Sequence, residues 1–173
     1  MDGTMVWIAF IFALVGRIAD VLSTWMVTPK LLLEGNWLVR RFGWAYAWAS
    51  ISIALLAFVS PPGGIIIGTV SCLMAHSNMS FALISRYATG EQGIRKLHTE
   101  AILNCNFRGF VAIFIVQFAP LLVLAFLIFS LGGYSVDNWV SDVGLGIICW
   151  VSIIALHKLK VLRFLGTKGN VPD

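Results

Sequence analysis

Charged residues are scarce in this chain, and their scarcity excludes most soluble folds. Only 12% of the 173 residues are Asp, Glu, Lys or Arg, whereas 59% are hydrophobic and the mean hydropathy is +0.90. A soluble protein of this size needs more polar surface to cover its core. Several apolar runs approach the roughly 18–20 residues that cross a bilayer. The composition therefore predicts an integral membrane protein, and the net charge of +4 does not indicate nucleic-acid binding.

Cysteine pairs and familiar catalytic motifs are also missing. The three cysteines, Cys72, Cys105 and Cys149, show no CxxC spacing, so a disulfide framework or a metal knuckle is not expected. There is no HExxH motif, and the sequence has no internal repeat, low-complexity segment or linker. Residues 1–173 are therefore predicted to form a single integral membrane domain.

Apolar runs and the residues between them predict an all-α fold, a polytopic membrane helical bundle with five transmembrane helices. The five spans are predicted at about 5–27, 44–60, 65–85, 110–131 and 139–157. Loops 29–43 and 86–108 mix apolar and basic residues, which is typical of interfacial segments. Pro61 to Gly64 predicts a tight turn. Gly64 and Gly68 form a GxxxG pattern that allows a neighbouring helix to approach closely.

Basic residues predict the orientation of the bundle. If the N-terminus is outside, the inner segments are 29–43, 86–108 and the tail from residue 158. These segments hold eleven of the twelve Lys and Arg residues, and the outer loops hold none. Since basic residues concentrate on the cytoplasmic side, the C-terminus is predicted to be cytoplasmic. The twelfth basic residue, Arg17, lies within the first span.

Ionisable and hydroxyl side chains within the first span share one helix face. Asp20 lies three residues after Arg17, so the two are predicted to neutralise each other as a structural pair. Ser23 and Thr24 follow one turn later on the same face, where such hydroxyls commonly bond to their own helix backbone. At about 1.5 Å per residue, Asp20 lies 12 Å from the inner end of the span.

A polar pocket in the cytoplasmic leaflet is predicted from matching depths. His76 and Asn78 precede the inner end of the third span by eight to ten residues, which places them near the depth of Asp20. The inner loop carries two more polar side chains, Glu34 and Asn36. Asn36 could instead cap the following helix. Intramembrane ionisable groups are functional candidates because each is costly unless paired. The predicted pocket residues are Asp20, Glu34, Asn36, His76 and Asn78.

One sequence pattern resembles a known group of proteins. The motif Asp20-x-x-Ser23-Thr24, followed by Glu34-x-Asn36, is similar to one in an uncharacterised group of small multispan prokaryotic membrane proteins. Where that group has proline after the asparagine, this chain has tryptophan. The resemblance implies a polytopic prokaryotic membrane protein and transfers no activity. The predicted location is the prokaryotic inner (cytoplasmic) membrane.

Three functions fit these residues. An accessory or scaffolding subunit of a larger membrane assembly is the first; its partners would be membrane lipids and other membrane protein subunits or a second copy. A metal-dependent intramembrane hydrolase, or another lipid-headgroup enzyme, could use a divalent metal on Asp20, Glu34 and His76. An ion or proton pathway is the third. Haem is not favoured, because His76 and His157 differ in depth by about two turns.

Overall fold

Helices make up the described part of the chain, without a strand. The computed structural model describes residues 3–31, 36–88, 90, 92, 93, 96, 100, 107–133, 135 and 138–168, with the backbone alone at 81–88, 107, 108, 110, 113, 114 and 157–168. Over these residues the elements are α1 (Gly3–Val27), α2 (Trp37–Ala49), the 3₁₀-helix η1 (Ser50–Phe58), α3 (Pro61–Ala88), α4 (Phe107–Leu131) and α5 (Trp139–Lys168).

The described helices include three that are long and apolar enough to cross a membrane. They are Gly3–Val27, Trp37–Phe58 and Trp139–Leu156, and Ile115–Leu131 is a shorter apolar helix. The outward face of α1 carries a row of exposed apolar side chains at helical spacing: Trp7, Ile11, Val15, Ile18, Leu22 and Trp25. A row of this kind suits lipid contact. The all-α architecture is confirmed and is consistent with an integral membrane protein.

Small residues bring α1 and α3 together in the most extensive helix contact of the described chain. A Cβ atom added to Gly16 would lie 2.8 Å from the carbonyl oxygen of Gly68. A Cβ on Gly64 would lie 2.5 Å from the Cβ of Ala57 and 3.2 Å from that of Ala9. The close approach predicted from Gly64 and Gly68 is thus confirmed, and Gly16 supplies the matching surface on α1.

The second half of the bundle is built around α5, which packs against both α3 and α4. Phe118 and Ala125 of α4 form a buried cluster with Trp150 and its neighbours on α5. Thr69 of α3 occupies the space in which a Cβ on Gly146 would lie, at 2.6 Å. Thus α3 is the central helix, with α1 and η1 on one side and α5 on the other.

The second long apolar segment, Trp37–Phe58, changes direction and helix type along its length. Gly43 has φ 68° and ψ −158°, a conformation that interrupts α2 one residue before the predicted start of the second span at Trp44. The Trp44 indole donates a hydrogen bond to the carbonyl of Pro29 at 2.9 Å, which ties this bend to the turn after α1. From Ser50 the helix becomes 3₁₀ and stays so until Phe58.

The predicted tight turn at Pro61 to Gly64 is wrong, because these residues form the first turn of α3. Proline suits the first helical position, where its fixed φ is already helical and its missing N–H is not needed. The preceding Ser60 accepts a hydrogen bond from the Gly63 N–H at 3.2 Å, as an N-cap does. The chain turns instead at Val59 and Ser60.

The two predicted interfacial segments are only partly described. In loop 29–43, α2 begins at Trp37. Most of 86–108 lies outside the described residues. Lys96 and Glu100, which are described, pair at 3.9 Å with highly exposed side chains one helical turn apart.

Candidate functional site

An ion pair lies inside the bundle at the middle of α1. Arg17 Nη1 donates to Asp20 Oδ2 at 2.7 Å across one helical turn, and the two side chains are only 18% and 14% exposed. The predicted structural pair is therefore present. Burial strengthens the attraction between the charges but also makes either of them costly to leave alone.

The same guanidinium reaches a second helical element. Arg17 Nη2 donates to Ser50 Oγ at 2.5 Å, and the Ser50 hydroxyl donates to the carbonyl of Ala47 at 2.6 Å. Ser50 is the first residue of η1, so this contact ties α1 to the point where the second segment changes helix type. The Arg17 Nε is buried and has no hydrogen-bond partner among the described residues.

An amide bridge joins α1 and α3 one turn further along. Asn78 Nδ2 donates to Thr24 Oγ1 at 2.9 Å and to Ser23 Oγ at 3.2 Å. The Ser23 hydroxyl in turn donates to the carbonyl of Asp20 at 2.9 Å, the local bond expected of a serine inside a helix. The predicted depth match between Asn78 and this face of α1 thus appears as a direct contact.

His76 lies elsewhere on α3. Its side chain is exposed, and its backbone carbonyl accepts a hydrogen bond from Ser80 Oγ at 3.1 Å. Residues two apart in an α-helix are separated by about 200° around the axis. The structure therefore gives His76 and Asn78 similar depth but different sides of α3.

The inner loop is described only in part. Asn36 is the N-cap of α2, and its Oδ1 accepts a hydrogen bond from the Leu38 N–H at 3.0 Å. Capping was the alternative role expected of this asparagine, and it is confirmed. Glu34 lies outside the described residues. The described contacts therefore do not join all of the predicted pocket residues. The pocket stays a prediction; its residues are Asp20, Glu34, Asn36, His76 and Asn78.

The predicted metal ligands are Asp20, Glu34 and His76. Of these, Asp20 and His76 are among the described residues. The Asp20 carboxylate is engaged by Arg17, and His76 is exposed on α3. Across the described residues, no group of three or more His, Cys, Asp or Glu side chains could hold a metal ion. The described polar contacts are an ion pair within α1 and hydrogen bonds that join α1 to η1 and to α3.

Among the polar residues in the spans that were not predicted as partners, Ser50 and Asp142 stand out. Ser50 lies in the apolar run 44–60, and its hydroxyl accepts a hydrogen bond from Arg17 at the first residue of η1. Asp142 is almost fully buried in the first turn of α5, where a negative charge interacts favourably with the helix dipole. An acidic residue inside the predicted span 139–157 could have been recognised from the sequence as a candidate.

Comparisons with protein-family models, curated proteins and solved structures find no match to this chain. The resemblance in the Asp20 to Asn36 region therefore stays a prediction.

Proposed function

We propose that this protein is a small integral membrane protein that acts as an accessory or scaffolding subunit of a larger membrane assembly. The polar contacts of α1 and α3 support this role, because they engage the side chains that a site would need. The Arg17–Asp20 pair lies within α1, and Arg17 also binds Ser50 of η1. Asn78 joins α3 to α1. Asp20 is bound to Arg17 at 2.7 Å, and Asn78 is bound to Thr24 at 2.9 Å. A catalytic or transport site needs such groups turned towards a substrate or an ion.

The exposed surface supports the same role. Large apolar side chains cover the outside of the described helices, and they include the aromatic residues Trp7, Trp25 and Trp48. Lipid covers part of such a surface, and packing against other membrane helices covers the rest. Tight contacts at glycines, already used between α1 and α3, show that helix packing holds this chain together.

The proposed arrangement in the membrane has five spans, with the N-terminus outside and the C-terminus in the cytoplasm. It is supported by the three long apolar helices, by the shorter apolar helix and by α3, which lies between α1 and α5. The proposed location is a prokaryotic inner membrane. The concentration of basic residues in the inner segments supports the orientation.

We expect reporter fusions to give a cytoplasmic signal after Lys168 and an external signal between residues 132 and 138. The reason is the absence of Lys and Arg from the outer loops and their abundance in the tail. Paired alkaline phosphatase and green fluorescent protein fusions at both sites measure this. An external signal at Lys168 would reverse the orientation, and equal signals at both sites would remove one span.

The subunit role predicts that the tagged protein, extracted from its own membrane in digitonin, migrates as a defined complex well above its mass of 19.0 kDa. Native electrophoresis, mass spectrometry of the band and elemental analysis of the same sample measure it. The hydrolase alternative predicts the opposite: a protein without stoichiometric partners that carries one equivalent of metal. An Asp20→Asn variant separates the two, since it would lose that metal only if Asp20 is a ligand.

A further inference from the structure

A polar side chain stands on the outer face of α4. Gln117 lies ten residues after the start of this 25-residue helix, about 15 Å along its axis and close to its middle. Its side chain is exposed, and within the described part of the chain its amide makes no hydrogen bond. An amide left in hydrocarbon without a partner is costly, so we expect a group outside the described residues to satisfy it.

Gln117 begins a regular stripe along the same face. The stripe consists of five exposed residues, spaced alternately three and four positions apart: Gln117, Pro120, Leu124, Leu127 and Leu131. This is the spacing of the a and d positions of a left-handed helix pair. Phe118 and Ala125, which face α5, lie on the other side of α4, so the described residues leave the stripe uncovered.

We infer that a second copy of this chain docks on this stripe, with Gln117 hydrogen-bonded to Gln117 of the other copy. The inference rests on the proposed assembly role and deepens it by naming the partner of one face. Two copies inserted in the same membrane run parallel, and in a parallel pair each a position meets the same position of its partner. An amide both donates and accepts, so it satisfies an identical amide opposite it.

The neighbouring backbone offers a further acceptor. Pro120 has no N–H, so it cannot donate the helical hydrogen bond to the carbonyl of Val116, one turn before it. Val116 is itself exposed and adjacent to Gln117. The second N–H of the partner's amide can therefore donate to the carbonyl of Val116, at about the same depth. This bond favours one register of the pair. A polar residue at a single a position specifies the register of a helix pair in this way.

Energy transfer between labelled copies tests the inference. The full chain, with a donor or an acceptor fluorophore on a C-terminal tag, is reconstituted in phosphatidylcholine–phosphatidylglycerol vesicles over a range of lipid-to-protein ratios. We expect saturable transfer that fits a dimer, and a dissociation constant that rises about tenfold in Gln117→Leu. Gln117→Asn keeps the amide and should retain most of the association.

Matched truncations separate the stripe from the rest of α4. Leu124→Ala should weaken association, whereas Ile115→Ala, also exposed but off the stripe, should not. A thermal melt of each variant confirms that the monomer is folded. The inference is overturned if the wild-type chain stays monomeric at every ratio. It is also overturned if Gln117→Leu leaves the dissociation constant unchanged, or if Ile115→Ala raises it.

The two proposals fail separately. A chain that is monomeric in vesicles but part of a defined complex in its own membrane would mean that another protein occupies the stripe, so the dimer fails and the subunit role stands. A Gln117-dependent dimer with no larger complex in the native membrane would leave the dimer standing without the subunit role.

Discussion

Replacing Asp20 with leucine is expected to lower the free energy of unfolding by about 3–5 kcal/mol, because it leaves the charge of Arg17 buried without its counterion. The pair is short, at 2.7 Å, and both side chains are largely buried. Arg17 would keep its bond to Ser50, but a neutral hydroxyl compensates a charge far less well. Thermal or denaturant unfolding in mild detergent measures the loss.

Two further variants give this expectation its control. Replacing both partners, with Arg17→Met and Asp20→Leu together, should recover most of the lost stability, since no isolated charge then remains. Glu100→Leu breaks another one-turn ion pair, but one that is exposed and 3.9 Å long, so it should change stability by less than about 1 kcal/mol. If Asp20→Leu melts like Glu100→Leu, the α1 pair does not stabilise the fold.

Replacing Gly16 with valine is expected to destabilise the contact between α1 and α3 by about 3 kcal/mol, near the upper end for overpacking. The new Cβ would lie 2.8 Å from the Gly68 carbonyl oxygen and 3.2 Å from its Cα. Both are backbone atoms, so no side-chain rotation relieves the clash. The two helices would have to separate, and the bond from Asn78 to Thr24 would lengthen with them.

A second glycine of α1 provides the control. A Cβ on Gly3 would meet nothing within 4 Å, so Gly3→Ala should leave stability unchanged or raise it slightly through helix propensity. Gly16→Ala already carries the clashing atom and should lower the melting temperature. If Gly16→Ala and Gly3→Ala melted alike, close packing at Gly16 would not contribute to stability.

Local features of the site were predictable from sequence, and those that depend on helix rotation were not. Arg17 and Asp20 are three residues apart, so one helical turn brings them together whatever surrounds them. Counting from the ends of the spans also placed Asn78 near the polar face of α1. Depth does not fix rotation, however, and His76 shares that depth while facing another way.

Ser50 shows the other limit of sequence reasoning. Nothing in the run 44–60 marks a change from α to 3₁₀ geometry, because both accept the same small and apolar residues. The change depends on how the segment packs against α1 and α3, where Ala54 and Ala57 are buried. The partner of Arg17 therefore became visible only with the tertiary structure.

The 3₁₀ geometry of η1 also sets a length. A 3₁₀-helix rises about 2.0 Å per residue and an α-helix 1.5 Å, so the nine residues Ser50–Phe58 reach roughly 4 Å further than they would as α-helix. The stretch from Trp44 to Phe58 then extends about 27 Å, close to the hydrocarbon thickness of a bilayer. As α-helix throughout, the same stretch would extend only about 22 Å, which is shorter than that thickness. In the proposed five-span arrangement, helix type as well as residue number therefore matches the length of this segment to the membrane.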